Sequence, residues 1–241
     1  METLYLVLII FGAGVIRGYS GFGFAMICVI TFSFIYPPSI ITPLILCLDI
    51  PVSIWLFYKA RKLVEWNSLK ILCISSMVTI PIGALVLTSA PVNFLRSFIA
   101  IVVLVLCYGL LVKKQTTSFT GSVATFGVGM LSGFLTGIAA IGGPPVILFY
   151  LSSNRSVSIS RASMIAFFLI VDCMALIACL WYGLLNTQIL ALSAKMLIPL
   201  SAGIWIGNYL FGKFLNEKKF KRQTILLLMI LAFISLIKSL N

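Results

Sequence analysis

The chain has 241 residues, 61% of them hydrophobic and 9% charged, and a mean hydropathy of +1.19 that excludes a soluble globular domain. Its net charge of +12 invites a nucleic-acid partner, but the lysines and arginines fall in short clusters between apolar runs. That is the pattern of positive-inside membrane topology, and no nucleic-acid partner is expected.

Stretches of about 20 apolar residues, the length that spans a bilayer, recur along the chain, so residues 1–241 read as a single integral membrane domain. Glu2 and the lack of a basic n-region argue against a cleaved signal peptide. In chain order the apolar segments fall at 3–16 with 24–35, 40–58, 69–89, 94–112, 119–138 with 144–153, 162–182, 188–212 and 223–240.

The first run is interrupted at Ile16-Arg17-Gly18-Tyr19-Ser20-Gly21-Phe22-Gly23. Glycines at 18, 21 and 23 weaken a continuous helix and open backbone geometries closed to other residues. In lipid, every N–H or C=O so freed must find a partner or line a protected cavity. A second interruption reads Ile141-Gly142-Gly143-Pro144-Pro145. Proline suits the first turn of a helix, so a half-helix is expected to begin at Pro144 or Pro145. Its amino-terminal end would present unpaired N–H groups and a partial positive charge. Arg17 adds a full charge on a planar fork suited to carboxylate, sulfonate or phosphate oxygens. The ligand read from these residues is a small anion.

An offset of 119 residues lays one interruption on the other, setting Gly14 on Gly133, Gly18 on Gly137, Gly21 on Ala140 and Gly23 on Gly142. With modest gaps, Asp49 pairs with Asp172, Pro81 with Pro199, and Phe94-Leu95-Arg96 with Phe220-Lys221-Arg222. The chain is therefore expected to be a duplication, with a first repeat at 1–113 and a second at 114–241. If each broken segment turns back rather than crossing once, thirteen basic residues share the cytoplasmic side: Lys59, Arg61, Lys62, Lys70, Lys113, Lys114, Arg155, Arg161, Lys213, Lys218, Lys219, Lys221 and Arg222. Only Arg96 and Lys238 then fall outside, and both termini are extracytoplasmic. Each half contributes an odd number of helical pieces, so the halves are inverted. The fold class expected is an all-α polytopic membrane protein of two inverted repeats, each of about four to five helical pieces with a glycine-broken or re-entrant helix. Transporters use this design to bring discontinuous helices together near the midplane.

Asp49 and Asp172 lie inside apolar segments, where ionisable groups are costly and usually functional. They are candidates for coupling or gating, or for pairing with Arg17 or Lys195. Ser20 and Thr136 flank the breaks and could bond an anion or re-satisfy the backbone. Arg17 could instead snorkel to a surface, and the glycines could serve small-xxx-small helix packing. Trp66, Trp181 and Tyr182 read as interfacial anchors. With no histidine and only Glu2, Asp49, Glu65, Asp172 and Glu217 as acids, the chain has little with which to build a catalytic centre, and no enzyme, cofactor or metal site is expected. Cys28, Cys47, Cys73, Cys107, Cys173 and Cys179 show no CxxC spacing and are expected to be free, packed thiols.

GVIRGYSGFGFA and GFLTGIAAIGGPPVILFYL resemble the two glycine-rich repeat motifs of the TauE/SafE family of sulfite exporters, also called the 4-toluene sulfonate uptake permease family. The resemblance covers essentially the full chain. It implies a secondary transporter of a bacterial inner membrane, or a similar membrane, moving sulfite, sulfonates such as sulfoacetate, or other organic anions. By motif match it places the substrate site on Arg17, Gly18, Ser20, Gly21 and Gly23, and on Gly137, Gly142, Gly143, Pro144 and Pro145; Thr136 joins them from its place beside the break. The sequence Gly21-Phe22-Gly23-Phe24 departs from the GGG-like run of many members. An anion channel of the same architecture is the alternative. The partners expected are a small anionic substrate and the lipid bilayer, with a homo-oligomer left open.

Overall fold

The computed structural model describes residues 2–33, 35–95, 97–99, 101–102, 105, 121–153 and 155–214. Regular structure among them is helical, without strands: α1 (Glu2–Ser20), α2 (Phe24–Phe32), α3 (Pro38–Ala60), α4 (Trp66–Ser89), α5 (Ser122–Ala139), α6 (Gly143–Leu151), α7 (Val157–Trp181) and α8 (Thr187–Phe214). Residues 92–95, 97–99 and 101–102 are helical as well. The segment expected at 223–240, part of 94–112, Cys107 and both members of the Arg96–Arg222 pairing lie outside the described residues.

Five of these helices, α3, α4, α5, α7 and α8, are long and apolar enough to cross a membrane. Val123, Trp181 and Ile198 stand 88%, 87% and 77% exposed, a surface suited to lipid and not to water. The chain is a multi-pass integral membrane protein. Two helices begin earlier than their apolar runs because polar residues cap them. Glu65 accepts from the Ser68 N–H ahead of α4, and Ser156 accepts from the Ile159 N–H ahead of α7.

Two parallel helix pairs organise the bundle, and small residues set both. Along α1, Gly14 meets Leu200 and Ile204 of α8, and Gly18 meets Ile204 and Asn208; from the other side Gly203 meets Phe11 and Val15, and Gly207 meets Val15 and Tyr19. Along α5, Gly129, Gly133 and Gly137 rest on Leu72, Ser76 and Ile80 of α4. Without a hydrophobic driving force between helices in lipid, such backbone-to-backbone approach supplies the packing energy. It also admits interhelical bonds, from Ser76 Oγ to the Gly129 carbonyl at 2.8 Å and from Thr79 Oγ1 to the Met130 carbonyl at 2.7 Å. Helices α3 and α7 pack on each other and join the pairs, α3 through α8 and α7 through α4. Exchanging α1 with α5, α2 with α6, α3 with α7 and α4 with α8 carries α1–α8 onto α5–α4, α3–α8 onto α7–α4, and α1–α2 onto α5–α6.

Polar contacts define one end of the molecule. A Glu65–Arg155 ion pair at 3.1 Å joins the α3–α4 and α6–α7 turns. An Arg161–Asn208 hydrogen bond at 3.0 Å brings the last turns of α8 to the same end. The exposed Lys59, Arg61, Lys62 and Lys213 therefore share that end. Helices α1, α3 and α8 run toward it, and α4, α5 and α7 run away from it.

Candidate functional site

Both glycine-rich segments break their helices. Between α1 and α2, Gly21 (φ 83°) and Gly23 (φ 97°) adopt left-handed geometry, which glycine takes without strain. Between α5 and α6 the left-handed residue is Ala140 (φ 55°), the position that the offset alignment sets on Gly21. A side chain in that region costs about 1–2 kcal/mol. Ala140→Gly is therefore expected to stabilise the purified protein by about 1 kcal/mol, read as a raised thermal midpoint in detergent; an unchanged or lowered midpoint would count against this backbone geometry.

The second break folds back along its own helix. The Gly142 carbonyl accepts from Ser132 Oγ, ten residues earlier in the chain, and the Ile141 N–H reaches the Leu135 carbonyl at 3.4 Å. A Cβ on Gly142 would overlap Thr136 Oγ1, so this return is open only to glycine. Helix α6 starts at Gly143, one residue ahead of the expected Pro144.

Arg17, in the last turn of α1, is 2% exposed. Its Nη2 donates to Asp49 Oδ2 at 2.9 Å and to Ser53 Oγ at 2.7 Å, both on α3. Its Nη1 donates to the Gly21 carbonyl at 2.6 Å, and its guanidinium carbon lies 5.0 Å from the centre of the Phe168 ring on α7. The arginine thus serves two purposes that burial demands: it satisfies a carbonyl freed by the break, and it pairs its charge. Among the described residues no hydrogen-bond partner reaches Arg17 Nε or Asp49 Oδ1. Asp172 of α7, 5% exposed, interacts with the Asp49 carboxyl and with the charge of Arg17.

These groups surround a cavity of about 30 Å³ lined by Arg17, Gly23, Asp49, Gly143, Phe168 and Asp172, with Phe22, Ala25, Met26, Ala140, Ile141 and Ile147 completing the wall. The first turns of α2 and α6 both reach it. The first N–H groups of a helix have no partner within it, and α2 offers those of Phe24, Ala25 and Met26. Pro144 and Pro145 carry no N–H, so the first turn of α6 offers only that of Gly143. What the arrangement can do chemically is bind a small oxyanion through one guanidinium and two sets of backbone donors.

The sequence profile of the family described as sulfite exporter TauE/SafE matches residues 6–235. The chain belongs to the TauE/SafE sulfite exporter family. No curated protein and no solved structure matches it. The family is one of membrane transporters.

Within this TauE/SafE protein the residues singled out from the sequence fall into distinct places. Arg17, Gly23, Gly143, Asp49 and Asp172 come together at the cavity. Gly21 turns the chain beside them, where a Cβ would stand 2.9 Å from Arg161 Cγ. Ser20 Oγ lies 2.7 Å from the Ile16 and the Phe22 carbonyls, either of which can take its single O–H, and Thr136 Oγ1 donates to the Ser132 carbonyl at 2.9 Å, so both hydroxyls bond backbone next to the breaks. Gly18 and Gly137 face the backbones of α8 and α4. Pro144 and Pro145 are buried in the first turn of α6. Lys195 is exposed on α8.

One residue beside this cavity was not singled out from the sequence. Sequence reading counts Arg161 only among the basic residues of the cytoplasmic side, and it is 6% exposed. Its Nε donates to the Tyr19 carbonyl at 3.1 Å and its Nη2 to the Gly18 carbonyl and Asn208 Oδ1. The guanidinium carbon lies 4.0 Å from the centre of the Phe211 ring. Arg161 caps the end of α1, where carbonyls lack partners and the helix carries partial negative charge. Its role was missed because of the helix start: hydropathy places it at 162, whereas Ser156 caps a helix that already contains Arg161.

Proposed function

We propose that this TauE/SafE protein is a secondary transporter of a small oxyanion, such as sulfite, a sulfonate like sulfoacetate, or a related anion. The observation that carries the reading is the convergence of two nine-residue half-helices and a buried arginine on one cavity. Helix ends and a guanidinium supply positive potential where the surrounding lipid supplies none.

The same reading takes residues 1–113 and 114–241 as inverted repeats. Support comes from the opposed directions of α1 and α5, α3 and α7, and α4 and α8, and from the exchange of packing partners between the halves. The positive-inside rule makes the basic end cytoplasmic. Arg17 would hold the anion. Gly21, Gly23, Gly142 and Gly143 would shape the breaks, Ser20 and Thr136 would satisfy the backbone there, and Gly18 and Gly137 would seat the broken helices on their neighbours. Pro144 and Pro145 would pre-set the first turn of α6.

The cavity of about 30 Å³ has room for one or two water-sized groups. A constriction of that size where two half-helices meet favours alternating access over a wide, continuous anion channel. The test is uptake of labelled sulfite, sulfoacetate, thiosulfate and small carboxylates into proteoliposomes. Saturable uptake with mutual inhibition and no macroscopic current is expected. Large uncoupled currents across a planar bilayer would assign a channel instead, and failure of every anion to enter would end the anion reading.

A further inference from the structure

We propose that Asp49 and Asp172 hold one proton between them and that this proton crosses the membrane with the anion, an inference that rests on the anion-transport reading above. The two carboxyls come from α3 and α7, one from each half, and meet at the cavity that Arg17 and the two helix ends line.

Their environment does not supply a cation for each. Arg17 commits its Nη2 to Asp49 Oδ2 and Ser53, and it is the one basic side chain in the wall among the described residues. Arg161, the next cation, is held on the Gly18 and Tyr19 carbonyls. Helix α2 brings Cys28 near Asp49, and α7 brings Cys173 near Asp172. The α5–α6 break and α6 contribute backbone and apolar groups, and no described side chain of α4, α5 or α8 lines the cavity. As two carboxylates, Asp49 and Asp172 are acceptors only, and Asp49 Oδ1 finds no donor among the described residues. A buried acceptor without a donor is costly. A single proton on Asp172 converts the repulsive contact into an O–H···O⁻ bond of the charge-assisted kind, and two carboxylates in contact favour that arrangement over double ionisation.

Charge then links the proton to the substrate. With both aspartates ionised, Arg17 leaves the cavity net negative, and an entering oxyanion is repelled. With one proton added, the three side chains sum to zero and the anion meets only Arg17 and the helix ends. Each ligand therefore raises the affinity for the other by the same factor. On the loading side a proton from water adds to the Asp172 carboxylate, which donates it to Asp49 Oδ1. On the release side the anion departs and the proton returns to water, with no bond to the anion made or broken.

Infrared difference spectra of the full-length protein in proteoliposomes, recorded between alkaline and acid buffer and with or without sulfite or methanesulfonate, test this directly. The expected result is the carbonyl stretch of a protonated carboxyl that grows on acidification, grows again when the transported anion is added at alkaline pH, and is lost in Asp172→Asn. Asp172→Glu, which keeps the carboxyl, should restore a shifted band. Saturable anion uptake without such a band, or with a band that Asp172→Asn leaves in place, overturns the shared proton while leaving transport standing. So does uptake driven by a sodium gradient and indifferent to a pH gradient. An Asp172-dependent band in a protein that takes up no anion supports the proton site and sinks the anion reading instead.

Discussion

Arg17→Ala is expected to cost about 3–5 kcal/mol of folded-state stability and to abolish anion uptake. The stability loss follows from Asp49, which is 4% exposed and would lose the partner that Arg17 Nη2 provides at 2.9 Å. The Gly21 carbonyl would lose its donor at 2.6 Å as well. Because a collapse of the fold would also stop transport, the informative companion is Arg17→Met combined with Asp49→Leu. Replacing a buried ion pair with packed apolar groups is often neutral or stabilising, so the double variant should recover most of the thermal midpoint while remaining silent in uptake. Thermal unfolding in detergent and flux in proteoliposomes measure the two separately. A double variant that still accumulates anion would remove Arg17 from the binding site, and a single variant as stable as the parent would mean the ion pair is not buried as described.

Gly207→Val should separate α1 from α8 and lower stability by about 3 kcal/mol. A Cβ at Gly207 would overlap the Val15 carbonyl oxygen and stand 2.8 Å from the Tyr19 N–H nitrogen. Both are backbone atoms, so no rotamer change relieves the contact and the helices must move apart. The consequence reaches the site, because Tyr19 is two residues from Arg17 and its carbonyl is one of those that Arg161 caps. Gly127 and Gly212, which have nothing within 4 Å of an added Cβ, are the controls. Alanine at either should be neutral or gain up to about 1 kcal/mol from helix propensity. Equal effects at all three positions would show that glycine matters here for something other than helix approach.

Much of the candidate site was legible in the sequence because it is written in backbone chemistry. Glycines and prolines at 18–23 and 142–145 announce a break through local conformational rules, and the offset alignment singles out the Asp49–Asp172 pair that the fold brings into contact. It also sets Gly21 on Ala140, and both prove left-handed. Arg161 escaped because its role depends on which carbonyls lie opposite it, on a helix more than a hundred residues earlier in the chain. Gly18 and Gly137 carry the same residue type as the glycines of the breaks, and nothing local distinguishes a glycine that turns a chain from one that seats a helix on its neighbour.

By itself the amino-acid sequence determined that the chain lies in a membrane, where its helices are interrupted, and that an arginine at one interruption and two aspartates fall within apolar segments. Only tertiary structure decided that Arg17 is already paired with Asp49, that α1 rests on α8 and α5 on α4, and that Arg161 closes the end of α1. The reason is the solvent. In water a helix advertises its buried face by alternating apolar and polar residues, but lipid is as apolar as the protein interior. Along α4 the buried Leu72 and Ile80 and the exposed Ile74 and Ile82 are chemically alike, so hydropathy marks the span and is blind to the face. Which helices meet is then settled by small residues and by isolated polar groups finding partners, and those are matters of three-dimensional fit.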